Sequence, residues 1–145
     1  MTFTRSRSKC STCPLDGHTK VWGQGSFTSG IAVIGEAPGA TEDADGIPFV
    51  GKAGQTMRGG LACTGTNPET VWFTNVIGCR PPSNELDSIE GAMAVTCCRP
   101  GLEDELKYLA TNGIKVIIAV GNHAAHSLGI EGSITRIRGS VYEVK

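Results

Sequence analysis

Nowhere does this 145-residue chain hold the ~20 consecutive apolar residues of a membrane-spanning helix. No membrane association through such a helix is therefore expected. Met1 to Ser8 is polar and carries Arg5 and Arg7 where a secretory signal would be apolar, so the expected location is cytoplasmic. A surplus of positive charge is missing too. Thirteen Lys and Arg face 14 Asp and Glu, for a net charge of −1. That excludes a uniformly basic coat for nucleic acid but leaves room for a local patch, such as Arg5, Arg7 and Lys9. Aromatics are few, at 6%, and there are only three histidines. No internal repeat or low-complexity tract breaks the chain. What is present is 39% apolar residues, enough for a modest core, together with 20 glycines and six cysteines. One domain spanning 1–145 is expected, with 1–30 as a polar, cysteine-bearing segment.

Six thiols without a secretory signal favour metal chemistry over a disulfide framework. Cys10 and Cys13 form a C-x-x-C pair, which brings two thiolates to one centre from a single turn. A redox pair of this spacing normally follows a strand, whereas here a polar basic tail precedes it. Further ligands would come from Cys79, beside Pro81-Pro82, and from Cys97 or Cys98, beside Pro100. Four thiolates suit zinc or an iron–sulfur cluster, and spacing does not choose between them.

Ile31 to Ile34 is a short apolar run ended by Gly35 and predicts a buried strand. Val71 to Ile77 predicts a second strand and Lys115 to Val120 a third. Helices are predicted from about Ala53 to Leu61, from an Asp87 cap through Ala94, from Pro100 to about Gly113, and after Gly121. Strands alternating with helices predict an α/β layer around a parallel sheet. Ligands bind such sheets at the carboxyl ends of the strands, here Gly35-Glu36, Thr74-Asn75 and Gly121.

The segment Gly35 to Gly54 holds five glycines, two prolines and four acids. A connection of that length is usually functional. Glu36 follows the first strand directly, where a carboxylate orients or activates water, or else caps a helix end. Phe49 offers a flat face to a planar ligand, or else plugs the core. The Asn75 amide has the donors and acceptor to read a base edge, or else bonds local backbone.

Taken in order, these pieces are similar to another set. Cys10-Ser-Thr-Cys13-Pro-Leu, Val33-Ile-Gly-Glu-Ala-Pro-Gly39 with Glu42-Asp43, and Gly46-Ile-Pro-Phe-Val-Gly-Lys-Ala-Gly54 come first. Phe73-Thr-Asn-Val76, Cys79-Arg-Pro-Pro82 with Asn84, Cys98-Arg-Pro-Gly-Leu102, and Lys115 to Gly121 follow. Together they make the chain resemble the family-4 uracil-DNA glycosylases, the iron–sulfur branch of that superfamily. The resemblance implies a three-layer α/β/α sandwich with a short central parallel sheet. It implies a structural 4Fe–4S cluster on Cys10, Cys13, Cys79 and Cys98, with Cys63 and Cys97 as spare small hydrophobes. The implied reaction is hydrolysis of the N-glycosidic bond of deoxyuridine in DNA, in a prokaryotic or phage-infected cell. Uracil would be bound by Glu36, Ala37, Glu42, Phe49 and Asn75. Glu36 and Asn75 would be the catalytic pair, Glu36 acting on the attacking water and Asn75 reading the base.

The chain departs from the family in having no His-Pro-Ser/Ala sequence, and the family's last strand is expected to be missing. His18, His123 and His126 read as surface or packing residues. Excision is then expected to be weak, with a fused segment or partner chain completing the sheet. The alternative is an iron–sulfur DNA-binding or docking module of low or no activity, part of a longer replication or repair protein. A zinc-bound structural domain is a third reading.

Overall fold

In the computed structural model, which describes residues 1–144, a four-stranded sheet forms the middle layer. Its strands are β1 (Gln24–Gly25), β2 (Ile31–Gly35), β3 (Trp72–Asn75) and β4 (Val116–Ala119), in the order β1-β3-β2-β4. The last three are parallel, with Ala32 opposite Trp72 and Ile117. The two-residue β1 runs antiparallel to β3 and is too short to be recognised in the sequence. Buried apolar residues run from Ala32 to Ile34 in β2 and over Trp72 and Phe73 in β3, as expected of strands covered on both faces.

Alternation along the strands sorts the two faces. Val33, Phe73 and Ile118 pack against Leu61 and Met57 of α2 (Lys52–Cys63). Ala32, Ile34, Trp72 and Ile117 face the opposite way, onto Ala94, Cys98, Leu102 and Leu109 of α3 (Ile89–Thr111). A helix on each side of the sheet gives the expected three layers. Short helices α1 (Ala40–Asp45), α4 (Asn122–Ser127) and α5 (Ile134–Ile137) complete the described α-helices, and three 3-10 turns accompany them.

One expectation about helices is corrected. The segments predicted to break between Ala94 and Pro100 form a single 23-residue helix, α3, with Pro100 inside it. Proline removes one amide donor and usually kinks a helix. Here residues spaced at three and four, from Ala94 through Cys98, Leu102, Glu105 and Leu109, are all buried on one side. That burial outweighs the single missing bond. The cap is Ser88, whose hydroxyl accepts from the Gly91 amide at 3.0 Å, and not Asp87. Ser140 to Val144 belongs to no strand and is exposed, so β4 stays at the edge of the sheet.

Candidate active site

The parallel strands end together, and their ends open into a cavity of about 570 Å³. Gly35 and Asn75 are register partners at the last position of β2 and β3. Glu36, Ala37, Glu42, Phe49 and Asn75 all line this one cavity. Residues 39 positions apart in sequence meet there because parallel pairing aligns the ends of their strands.

Asn75 is 4% exposed. No side-chain polar atom sealed within the described residues lacks a hydrogen-bond partner. The Asn75 amide makes no bond to protein among those residues, so its polar atoms open to the cavity. This differs from a strand-end asparagine tied to local backbone. Gly35 makes the arrangement possible. A Cβ there would lie 2.5 Å from Asn75 Oδ1 and 2.7 Å from Phe49 Cζ. Gly35→Ala is therefore expected to push both groups out of place. It should cost about 1–3 kcal/mol of stability by overpacking, which a thermal melt measures.

Phe49 takes a left-handed backbone, φ 58°, which is strained for a bulky residue. Three contacts hold it. Arg58 donates from Nε to the Phe49 carbonyl at 2.8 Å and from Nη2 to the Pro48 carbonyl at 3.3 Å. The same guanidinium lies 4.1 Å over the Phe73 ring, which packs 5.3 Å from the Phe49 ring. Finally, Gly54 admits the Phe49 backbone so closely that any Cβ there would overlap it. Phe49 is thus packed in the core, as one of the two readings expects, and also lines the cavity. Arg58 was not legible as a site residue, because its role depends on carbonyls nine and ten positions away.

Glu36 lines the cavity and caps a helix end. Its Oε1 accepts from the His123 backbone amide at 3.2 Å, at the start of α4. Gly121, with φ 101°, has no room for a Cβ beside that carboxylate. His123 was read as a packing residue, and its ring does face away, bonding Asp87 Oδ1 at 2.8 Å. Its main chain nevertheless touches the site. Glu42 is differently placed. Its oxygens accept from the amides of Gly51 (2.9 Å) and Gly39 (3.2 Å), tying α1 to the start of α2. It shapes the wall of the cavity through those bonds.

Beside α3 the thiols come together. Cys10 to Thr12 is a short 3-10 turn, and the Lys9 amide bonds the Cys97 carbonyl at 2.8 Å. Cys79 and Cys98 are buried in the same apolar cluster, with Cys13 packed against it. Burial pushes the Cys10 and Cys13 thiols up, and Cys79 up to about 11 against the opposing pull of Lys20. Cys97 lies beside Cys13, and Cys63 is exposed and apart on α2. Among the described residues no three such side chains close on a single-ion position. The donor set nonetheless fits a cluster, whose irons each take one thiolate and need no common point.

The uracil DNA glycosylase superfamily matches residues 22–143. A type-4 uracil-DNA glycosylase from Pyrobaculum aerophilum is 40% identical over 121 residues, covering 82% of this chain and 59% of that protein. The Archaeoglobus fulgidus type-4 enzyme is 38% identical over 151 aligned positions, 99% of this chain and 72% of that protein. One from Thermotoga maritima is 36% identical over 137 residues, 91% and 68%. The chain thus spans about three-fifths to seven-tenths of the length of these relatives.

Proposed function

The chain belongs to the uracil-DNA glycosylase superfamily, in its type-4 branch, and from that premise we propose that it hydrolyses the N-glycosidic bond of deoxyuridine in DNA. The observation that carries this reading is the convergence of the Asn75 amide, the Phe49 ring and the Glu36 carboxylate in one cavity, permitted by Gly35. A cavity at the strand ends is too narrow for duplex, so the base must leave the stack, at a cost of a few kcal/mol. Stacking on Phe49 offsets part of that cost. The open Asn75 amide offers both donor and acceptor to the polar edge of uracil. Breaking the bond leaves positive charge on the sugar, and a carboxylate stabilises such a transition state. Glu36, held by the His123 amide, is placed to orient the water that attacks the sugar.

Cys10, Cys13, Cys79 and Cys98 would hold the cluster, which is structural in this reading. As free thiols Cys10, Cys13 and Cys79 are pushed toward the protonated form, so metal binding would release protons and contribute folding free energy. By covering Lys9 to Cys13, Cys79 and α3 together, it would brace one domain, 1–145, around the N-terminal segment 1–30. Substrate DNA carrying uracil is the proposed partner, in a cytoplasmic setting.

A second reading is a DNA-docking module with weak excision, because no histidine lines the cavity among the described residues. A single-stranded oligonucleotide with one uracil separates the two. Stoichiometric release of free uracil within minutes, with none from the thymine control, supports the enzyme. Tight binding without release at equal protein and DNA supports the docking module.

A further inference from the structure

We infer that Arg5 is a positioning residue for Asn75, a role that rests on the proposed reading of Asn75 as the base-edge reader. The last carbonyls of β3 need partners. On one side the amides of Val76 and Ile77 bond Gly35 and Glu36 of the neighbouring chain segment. On the other side β1 pairs only with Trp72 and Phe73 and then ends. The backbone beyond is left without a strand beside it.

Arg5 takes the place of that strand. Its Nη1 donates to the Val76 carbonyl at 2.8 Å, and its Nη2 to the Asn75 carbonyl and to Thr74 Oγ1, the latter at 3.0 Å. One planar fork thus clamps three consecutive residues, the middle one carrying the amide that faces the cavity. Arg5 is 3% exposed, and its buried guanidinium needs a counter-charge. Glu105, wholly buried on α3, supplies it at 2.7 Å, and its other oxygen accepts from Trp72 Nε1 at 2.9 Å. Two glycines make room. A Cβ on Gly101 would lie 2.6 Å from Arg5 Cβ, and one on Gly23 would overlap the Glu105 carboxylate. A buried charge of this kind is costly, and an apolar pair would fill the same space. What the ion pair adds is a fixed set of donors at the end of β3.

Lysine at position 5 keeps the charge opposite Glu105 but has no fork and cannot reach both carbonyls. Single-turnover excision from uracil-containing single-stranded DNA is measured for Arg5→Lys, Asn75→Ala and the double variant. Binding preference for a 2′-fluoro-deoxyuridine oligonucleotide over thymidine is measured in parallel. Arg5→Lys is expected to lower rate and preference about tenfold, one hydrogen bond's worth, with binding to the thymidine strand unchanged. If Arg5 acts through Asn75, the double variant is no slower than Asn75→Ala alone. Losses that multiply, or a full rate for Arg5→Lys, overturn the inference. A full rate and preference for Asn75→Ala overturn instead the reading on which it rests. Thr74→Val removes one tether without disturbing the ion pair. It should show the same non-additivity at smaller size, and it decides the matter if Arg5→Lys does not fold.

Discussion

Glu36→Gln is expected to slow the chemical step by about 100- to 10,000-fold, the range of a lost acid–base or charge contribution, while DNA affinity changes less than about threefold. Glutamine has the same shape, and its carbonyl oxygen still accepts from the His123 amide, so the start of α4 stays capped. It still packs against Gly121. Only the negative charge and the ability to take a proton are lost. Those matter when the sugar becomes cationic and water loses its proton, and hardly in the ground state. Single-turnover excision and a binding isotherm on thymine DNA distinguish the two. If rate and affinity fall together, Glu36 is a cap for α4 and the reacting water has another partner.

Cys79→Ser is expected to abolish most iron binding and to lower stability by about 3 kcal/mol, or roughly 6–12 °C in melting temperature. Cys79 is buried among Leu15, Ile77, Leu86 and Cys98. Serine there is a weak metal ligand and introduces a hydroxyl with no assured partner. Anaerobically purified wild type should be brown, with about four irons and four sulfides per chain. Cys63→Ser, at an exposed position on α2, should change neither colour nor melting temperature. Colourless wild type carrying a single zinc would overturn the cluster. Because Lys9 bonds Cys97 and the same segment carries Arg5, excision should decline along with the iron, which a titration with chelator measures.

Much of this was written in local sequence. Apolar runs such as Ile31 to Ile34 specify strands buried on both faces, because only a covered sheet accepts them. The order of strands and helices specified an α/β layer with a parallel sheet, the family resemblance implied the three layers, and the glycine-rich segment after β2 marked the cavity at the strand ends. Glu36, Phe49 and Asn75 were singled out from their place in the chain, Ala37 and Glu42 through the family resemblance, and all line that cavity. Spacing pointed to Cys10, Cys13, Cys79 and one of Cys97 and Cys98 as a thiol set, and the resemblance chose Cys98.

Other features depended on contacts between distant segments. α3 runs through Pro100 because its buried side is continuous, a fact about what packs against it rather than about proline. β1 is two residues long and exists only because β3 offers an open edge. Phe49 is left-handed because Arg58, Phe73 and Gly54 surround it. His123 reaches the site through its amide, which side-chain identity does not reveal. Arg5 lies in what reads as a polar, solvated tail, yet folding buries it 100 positions away in sequence from its partner Glu105. A charge is stable in a core only where a counter-charge and acceptors are already in place. Local sequence determined which groups this protein carries and the layers that hold them. Tertiary packing alone decided which carbonyls, carboxylates and glycines surround each group, since that is set by segments meeting across the sheet.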